Sequence, residues 1–254
     1  MNDLEGLRGK VALVTGASGG IGEAVARRLA AGGLKVAAVA RRADRLEALR
    51  AEVAEAGGEL LALPADVRDD AAVRRVVGAT VERFGGVDVL VNNAGLGRDE
   101  PLLTGDPAAW REMVDVNVLA LCLFTQAAIA SMRARGDVGH VVHIGSMAGH
   151  RMPAGTSGAF YAATKHAVRA LTEGLRRELH AAGSGVRVTA ISPGYVETGF
   201  AAVFTGQPDA GQTVYGQYPC VQPAEVADLV AFVLTRPPHV QVHDLLVRPL
   251  GQPA

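Results

Sequence analysis

The chain has 254 residues, of which 49% are hydrophobic, 4% aromatic and 20% charged, with a formal net charge of −1. Near-neutrality offers no electrostatic argument for binding nucleic acid or an anionic membrane, and the two cysteines lack metal or redox spacing. No apolar run approaches the roughly 20 residues that span a bilayer, and the first residues lack a secretion-signal pattern. We therefore expect a cytoplasmic protein without nucleic-acid or membrane partners.

A glycine-rich turn follows the first predicted strand. Val11–Val14 is a short apolar run typical of a buried parallel strand, and Thr15-Gly16-Ala17-Ser18-Gly19-Gly20-Ile21-Gly22 comes directly after it, before a helical pattern. Glycines let the backbone approach a pyrophosphate closely, and a helix N-terminus supplies free N–H groups. The context predicts a phosphate-binding loop, with a tight turn that binds no ligand as the alternative.

Two arginines end the second predicted strand, Lys35–Ala40, and indicate which dinucleotide is bound. A carboxylate at this position would hold the ribose hydroxyls of NAD, whereas arginine suits the 2′-phosphate of NADP. Arg41 and Arg42 occupy the position, and the next acid, Asp44, is interpreted as the N-cap of the following helix. The pair favours NADP(H), with solvated loop charges as the alternative.

Polar and small residues end the next two predicted strands. Asp66 follows Glu59–Leu63 and is interpreted as an acceptor for an adenine amino group. Val87–Val91 is followed by Asn92-Asn93-Ala94-Gly95, where small side chains leave room for a flat ring or a ribose. The sequence therefore predicts ligand contacts after both strands.

A single amide lies within a long apolar helix pattern. Asp106 and Pro107 predict the start of this helix, which runs to about Arg135 and carries Asn117 among apolar residues. Leaving a buried amide unsatisfied costs about 1–3 kcal/mol, so Asn117 must find partners. It is interpreted either as a satisfied core amide or as part of a proton path.

A serine, a tyrosine and a lysine form the predicted catalytic set. Tyr161 and Lys165 are four apart on a predicted helix, so they lie on one face, one turn apart. An ammonium at that distance favours the phenolate, so we expect the pKa of the tyrosine to fall below its usual value of about 10. Such a phenol can give a proton to a carbonyl oxygen or take one from an alcohol. Ser146, at the end of the predicted strand Val141–Ile144, could reach the same oxygen.

Residues 197–222 are predicted to form a substrate lid, with an irregular stretch from Gly199 to Gln222. Aromatic and apolar side chains are spread among glycines and prolines there, with no Arg or Lys between positions 199 and 222. A short amphipathic helix packed on the domain is the alternative, and both can hold at once. Apolar walls suit an uncharged, mostly hydrophobic carbonyl compound, although Arg98 and Arg151 are cations that could reach the pocket. The other residues expected near the substrate are Leu96, Met147, Met152 and Phe160.

Predicted strands alternate with helices from end to end, and no linker or low-complexity tract divides the chain. This order predicts one doubly wound α/β domain over residues 1–254, with a seven-stranded parallel sheet flanked by helices. The histidines are scattered without metal-ligand spacing, so no metal site is expected.

The glycine turn, the Asn-Asn-Ala-Gly run, Asn117, Ser146, the Tyr161/Lys165 pair and Pro193-Gly194 together resemble the short-chain dehydrogenase/reductase family, over about residues 8–250. Met147–Arg151 and Asp244–Pro249 are similar to a subgroup of NADP-linked carbonyl and ketosteroid reductases, farnesol dehydrogenases and clavulanic acid dehydrogenase. The interval from Ser146 to Tyr161 is slightly longer than the family's common spacing, which should bulge the substrate-side loop.

The resemblance implies a Rossmann-type, NADP(H)-dependent oxidoreductase that interconverts a carbonyl compound and its alcohol. Tyr161 would be the acid/base, Lys165 would lower its pKa and hold the nicotinamide ribose, Ser146 would bond the substrate oxygen, and Asn117 would anchor a water on the proton path. The residues expected to bind the cofactor are Gly16, Ser18, Gly20, Ile21, Gly22, Arg41, Arg42, Asp66, Val67, Asn93, Ala94, Gly95, Tyr161, Lys165, Pro193, Gly194, Val196 and Thr198.

The family also implies a homodimer or homotetramer built on the long fifth and sixth helices. An NAD-dependent alcohol dehydrogenase is the rival within the same class and is disfavoured by the two arginines. A non-catalytic nucleotide-sensing regulator would keep the glycine turn but would not need the catalytic set. A methyltransferase shares the first turn, but its second strand would normally end in an acid.

Overall fold

The computed structural model describes residues 4–153 and 158–253. Seven parallel strands form one sheet in the order β3-β2-β1-β4-β5-β6-β7, which confirms the predicted doubly wound α/β fold. The strands are β1 (Val11–Thr15), β2 (Lys35–Ala40), β3 (Glu59–Pro64), β4 (Val89–Asn92), β5 (Val138–Ile144), β6 (Gly185–Pro193) and β7 (Asp244–Val247).

Helices connect the strands, because parallel neighbours need a crossover connection. The α-helices are α1 (Gly20–Ala31), α2 (Ala43–Glu55), α3 (Asp70–Phe84), α4 (Pro107–Val114), α5 (Ala120–Arg133), α6 (Ala159–Ala181), α7 (Phe200–Thr205), α8 (Ala210–Tyr215) and α9 (Pro223–Leu234). A short 3₁₀ helix, Met147–Gly149, follows β5.

Both faces of the sheet are buried. Successive strand residues point to opposite faces, so Ala12 packs with the helices α1, α2 and α9 while Leu13 packs with α3, α5 and α6. Neither side chain is exposed to solvent. This two-sided burial explains why the strands read as continuous apolar runs rather than as alternating ones.

A π-helical turn, Asp115–Leu119, joins α4 to α5 into one continuous helix. Asp106 accepts a hydrogen bond from the Ala108 N–H and Pro107 begins the helix, as predicted. By length and composition alone, the stretch Pro107–Arg133 is apolar enough to cross a membrane. Its inner face is nevertheless a core face, because Phe124 is buried against the sheet.

Two local predictions are wrong. Asp44 is not the N-cap of α2, because the helix begins at Ala43 and Arg42 is the capping residue, without a side-chain cap. Residues 199–222 are not irregular throughout, because α7 and α8 lie within them. The alternative interpretation is one short amphipathic helix packed on the domain, and the structure has two short helices in this segment.

The order of the strands defines where a ligand can lie. The chain runs outward through β2 and β3 on one side of β1, and through β4 to β7 on the other. In open parallel sheets, ligands bind outside the carboxyl ends of the strands at such a reversal. The predicted site residues that follow β1 to β6 all belong to this edge.

Candidate active site

In the turn after β1, glycines allow backbone atoms to pack where a side chain would collide. Gly16 has φ +69°, in the region that favours glycine. A Cβ on Gly22, inside α1, would collide with the Gly16 carbonyl and the Asn93 amide. These glycines hold α1 close to the end of β1 with its N-terminus open, which is the arrangement that a pyrophosphate requires. Ile21 lies in the first turn of α1, and Gly20 precedes it with φ +56°.

Thr15 and Asn93 clasp the ends of β1 and β4 together. The Thr15 hydroxyl accepts hydrogen bonds from the Asn93 and Ala94 N–H groups, both at 3.0 Å. The Asn93 Nδ2 in turn donates to the Thr15 carbonyl at 2.9 Å. Asn93 therefore shapes the site through the backbone, and Ala94 continues the chain across the gap between the two strands.

Arg42 lies over the glycine turn. Its guanidinium donates to the Ser18 carbonyl at 2.9 Å and to the Ser18 hydroxyl at 3.0 and 3.1 Å. The hydroxyl and the guanidinium thus lie side by side at an exposed position, as two donors that one phosphate could accept together. Arg41 is exposed beside them.

Asp66 is held by a neighbouring arginine. The Arg68 guanidinium donates to both of its carboxylate oxygens, at 2.6 and 3.0 Å. This bonding keeps the pKa of Asp66 below its usual value, so the carboxylate stays charged. The Arg68 backbone N–H also donates to the Asp66 Oδ1 at 3.0 Å. Three N–H groups of Arg68 thus bind a carboxylate that has about four lone-pair sites, which leaves one for an amino group. Val67, the adjacent residue, is buried in the core.

Ser146, Tyr161 and Lys165 come together at the end of β5. The Ser146 hydroxyl lies close enough to the Tyr161 phenol to oppose the rise in the tyrosine pKa. The Lys165 Nζ donates to the Ile144 carbonyl at 3.1 Å and lies 5.9 Å from the centroid of the Tyr161 ring. The three predicted catalytic side chains thus converge, although residues 154–157 of the longer interval before Tyr161 lie outside the described residues.

The expected fall in the pKa of Tyr161 is not observed. Burial raises the pKa of Tyr161 to about 12, and the nearby Ser146 hydroxyl opposes this only in part. Burial also lowers the pKa of Lys165 to about 8. Desolvation disfavours the charged form of both groups, and here it outweighs the attraction between ammonium and phenolate on which the sequence argument relied.

Asn117 is a fully bonded core amide. Its Oδ1 accepts from the Leu96 N–H at 2.7 Å, and its Nδ2 donates to the Leu96 carbonyl at 2.7 Å and to the Thr164 hydroxyl at 2.9 Å. The amide therefore fixes the loop after β4 against α6. A Cβ on Gly95 would make ordinary contacts with the Lys165 Nζ at 3.6 Å and the Asn117 Oδ1 at 3.7 Å, so Gly95 lies directly beside both side chains.

The loop after β6 reaches back to the glycine turn. Pro193 pairs with Val247, and the Gly194 N–H donates to the Val247 carbonyl at 2.7 Å. Val196 bridges to Val221. A Cβ on Gly20 would lie 3.1 Å from the Thr198 methyl group, so the predicted cofactor residues of β6 and of β1 share one cleft.

Two phenylalanines of the segment 197–222 cover the catalytic tyrosine. The ring centroids of Phe200 and Phe204 lie 5.5 and 6.0 Å from that of Tyr161. Both rings rest on Gly97, where a Cβ would lie 2.6 Å from Phe200 and 2.7 Å from Phe204. We call residues 197–222 the lid segment.

The two arginines that could reach the pocket form hydrogen bonds with other groups, and two residues expected near the substrate either stack on another ring or are exposed to solvent. Arg98 donates to the Val203 carbonyl at 3.2 Å and to Glu112 at 3.1 Å, and Arg151 donates to the Pro253 carbonyl at 3.1 Å. The Phe160 ring stacks on Trp110 at 5.4 Å, and Met152 is 58% exposed. Leu96 and Met147 remain as buried apolar residues beside the site.

Sequence reasoning missed Thr15, Thr164 and Arg68. Thr164 lies between Tyr161 and Lys165, and the need of Asn117 for a partner was the signal that could have pointed to it. Thr15 directly precedes the glycine turn, but nothing in its pattern distinguishes a clasp from a strand end. Within residues 4–153 and 158–253, no group of three His, Cys, Asp or Glu side chains could hold a metal ion.

Known proteins resemble the chain over almost its whole length. The family profile described as short chain dehydrogenase matches residues 10–208. "Dehydrogenase/reductase SDR family member 11" from Bos taurus is 47% identical over 98% of this chain and 99% of its own length. "Farnesol dehydrogenase" from Aedes aegypti is 43% identical over 96% of this chain and 97% of its own length.

A solved structure agrees with these relatives. The structure titled "The Closed form of serine dehydrogenase complexed with NADP+" superposes with a TM-score of 0.89 and is 37% identical, over 96% of both chains. The fold and the geometry of the site agree with the sequence relatives, which match almost the whole chain. The chain therefore belongs to the short-chain dehydrogenase/reductase family of oxidoreductases, which use a nicotinamide cofactor.

Proposed function

We propose that the protein is an NADP(H)-dependent oxidoreductase that interconverts an uncharged, hydrophobic ketone or aldehyde and its alcohol. The observation that carries this proposal is the convergence of Ser146, Tyr161 and Lys165 at the end of β5, beside a glycine cradle. A binding protein without catalytic activity would need the cradle but not the three convergent side chains.

The described residues fit a phosphorylated dinucleotide. The turn at Gly16 leaves the α1 N-terminus open for the pyrophosphate, and Ser18 with Arg42 offers adjacent donors to a 2′-phosphate. Asp66 would accept from the adenine amino group, and Thr198 faces the cleft where the carboxamide would lie. When bound, the cofactor supplies or accepts a hydride.

Side chains of the protein hold and donate the proton that the reaction requires. Tyr161 holds its proton firmly, because burial raises its pKa to about 12, and it can donate that proton to an oxygen that becomes an alkoxide. The Ser146 hydroxyl can donate to the same oxygen and stabilise the negative charge that develops there. Lys165 supports the site by a bond to the Ile144 carbonyl at 3.1 Å.

Apolar surroundings support a hydrophobic substrate. Phe200 and Phe204 lie against the Tyr161 ring, and Leu96 and Met147, which adjoin the site in the chain, are buried. The cations once expected to reach the pocket are engaged elsewhere, Arg98 with Glu112 and Arg151 with the Pro253 carbonyl. A charged substrate would need free cationic partners. One relative carries the name farnesol dehydrogenase, and a long apolar alcohol of that kind suits such walls.

An NAD-dependent alcohol dehydrogenase is the second candidate within the same chemistry. The three hydrogen bonds of Arg42 to Ser18 favour the phosphorylated cofactor over it. We further propose a homodimer or homotetramer that acts in the cytoplasm, assembled through α5 and α6. Leu119 is 51% exposed next to α5, and Ala130 and Ala163 are exposed on the two helices.

Oxidation of NADPH and NADH in the presence of ketones, terpenoid aldehydes, steroids and small oxo-acids tests the proposal. We expect the highest kcat/KM with NADPH and a bulky uncharged carbonyl. Tyr161→Phe keeps the ring and removes the proton donor, so turnover should fall about 10²–10⁴-fold while NADPH affinity is unchanged. Near wild-type turnover in that variant, or a preference for an anionic oxo-acid, would contradict the assignment.

A further inference from the structure

We propose that Arg98 is a positioning residue that holds the lid segment over Tyr161, and that Glu112 and Arg68 link this latch to Asp66 on the adenine side of the cleft. We call the contacts of Arg98 with the lid segment and with Glu112 the latch; it requires no bound ligand. The link to Asp66 rests on the nucleotide site of the proposed function.

The guanidinium of Arg98 bridges two helices. One nitrogen donates to the carbonyl of Val203, in α7, at 3.2 Å, and another donates to the Glu112 carboxylate, in α4, at 3.1 Å. The next residue, Asp99, donates its N–H to the Phe204 carbonyl at 2.9 Å. The loop after β4 therefore fastens α7 at two successive carbonyls.

The fastened carbonyls belong to the part of the lid segment that covers the catalytic tyrosine. Val203 directly precedes Phe204, whose ring lies 6.0 Å from that of Tyr161. A planar, rigid guanidinium can satisfy a carbonyl and a carboxylate at once, which a lysine ammonium on a flexible stem does less well. Arg98 thus fixes the height of α7 above the active site.

Glu112 receives a second arginine from the opposite side. Arg68 donates to it at 3.2 Å, and the same guanidinium holds both oxygens of Asp66. A continuous series of ion pairs therefore runs from the adenine side of the cleft to α7, through Asp66, Arg68, Glu112 and Arg98. The side chains are 23–38% exposed, so each pair contributes modestly and the effect depends on their linkage.

Glu112 is the shared partner, and its charge keeps two guanidinium groups near each other. Without it, Arg68 and Arg98 would repel, and Arg98 would keep only the Val203 carbonyl. An adenine amino group bonded to Asp66 would further restrict Asp66 and Arg68, and so favour the closed arrangement of Glu112 and Arg98. Nucleotide binding and lid closure would then stabilise each other reciprocally.

Proteolysis of the folded protein tests the latch, because chymotrypsin cleaves after aromatic residues and trypsin has no site between positions 199 and 222. In Arg98→Ala, we expect chymotrypsin to cut the lid segment about two- to fivefold faster than in wild type. Arg98→Lys should lie between the two. Arg50→Ala, which removes an exposed ion pair with Glu47 on α2, is the matched control and should behave as wild type.

A kinetic readout separates positioning from general destabilisation. Arg98→Ala should raise KM for the carbonyl substrate more than it lowers kcat, with a melting temperature close to that of Arg50→Ala. Lid cleavage at the wild-type rate in Arg98→Ala would overturn the latch, because aromatic packing alone would then hold α7.

Adenosine 2′,5′-bisphosphate tests the link, because it carries the adenine and the 2′-phosphate but no nicotinamide that could touch the lid segment. We expect it to slow lid cleavage about twofold in wild type and not in Glu112→Gln, with binding measured by calorimetry in both. Binding without protection in wild type would overturn the link alone. Failure to bind wild type would overturn the link together with the proposed nucleotide site, and the Arg98 variants would still decide the latch.

Discussion

Tyr161 and Lys165 are neighbours whose ionisation is governed by burial more than by each other. The pKa of Tyr161 is raised to about 12 and that of Lys165 is lowered to about 8, with loss of solvation as the largest cause for both. The ammonium lies over the side of the ring, 5.9 Å from its centroid, and donates to the Ile144 carbonyl. A sequence spacing of four residues places the pair on one face but cannot specify how much water reaches it.

The depressed pKa of Lys165 predicts a pH-dependent stability. Between pH 8 and 10.5, the unfolded chain binds a proton on this amine that the folded chain has released, so stability rises with pH in that window. We expect the unfolding free energy of wild type, relative to Lys165→Met, to increase by about 3 kcal/mol across it. Urea unfolding of both proteins at several pH values measures the difference, and a flat difference would contradict the assignment of burial as the cause.

Tyr161 acts in the opposite direction at higher pH. Its folded pKa lies above the unfolded value of 10.0, so its contribution is complete below pH 10 and is lost as the pH rises through about 12. Comparison of wild type with Tyr161→Phe above pH 10 isolates this loss, because phenylalanine does not titrate.

Arg41 and Arg42 are expected to discriminate between the two nicotinamide cofactors. Charge-assisted hydrogen bonds to a phosphate contribute about 1.5–3 kcal/mol each, so Arg41→Ala with Arg42→Ala should weaken NADPH binding by several kcal/mol at most, up to about 10⁴-fold. NADH, which lacks the 2′-phosphate, should bind nearly as before. Fluorescence titration with both cofactors measures this, with Arg50→Ala as the control. Equal losses for NADH and NADPH would mean that these arginines do not read the phosphate.

At the level of secondary-structure elements, the features predicted well are those with a local cause. Apolar runs predicted β1 to β5 to within a few residues, and Asp106 with Pro107 marked the start of α4 correctly. Asp44 is a residue type that favours the N-cap position, but α2 begins at Ala43, two residues earlier than an Asp44 cap would place it. Local sequence preference does not choose between two starting points this close together.

The features that were missed depend on contacts between distant residues. α7 and α8 carry too few charged residues to show a clear amphipathic pattern, and α7 is held by packing of its phenylalanines on Gly97 and Tyr161. The pairing of Arg98 with Glu112 joins a loop to a helix and leaves no periodic signal. The π-helical turn around Asn117 likewise has no local signature.

Replacement of Asn117, in the π-helical turn, should lower the free energy of unfolding. Asn117→Ala would leave the N–H and the carbonyl of Leu96 without partners inside the protein, and each such group costs about 1–3 kcal/mol. We expect the unfolding free energy to fall by at least one such increment. Arg74→Ala, at an exposed position on α3, is the matched control and should stay within about 0.5 kcal/mol of wild type. A loss no greater than in this control would mean that water or a shifted backbone replaces the amide.

On the scale of the whole molecule, the long helix from Pro107 to Arg133 faces two environments. Its inner side is core, with Met113 and Phe124 buried, while Leu119 is 51% exposed on the outer side. Apolar composition on both sides explains why the stretch satisfies a membrane-span criterion by length and composition. Burial of the outer side by α5 and α6 of a second copy would account for the same composition.

This proposed assembly predicts the effect of a charge on the outer side. Leu119→Arg should shift the protein toward the monomer in light scattering and sedimentation, because a buried unpaired charge is costly at an interface. Leu103→Arg is the matched control, since Leu103 is 97% exposed on the loop before α4. A monomeric wild type, or an unchanged oligomer in Leu119→Arg, would contradict assembly through this face.

The two phenylalanine rings above Tyr161 also bear on how fast the protein can work. We expect substrate to reach the tyrosine hydroxyl, and product to leave it, when α7 moves away from Tyr161, a motion typical of the microsecond-to-millisecond range. α7 lies between Gly199 and Gly206, and Gly206 has φ +72°. We therefore expect turnover to depend on these two glycines as well as on the chemistry of Ser146, Tyr161 and Lys165.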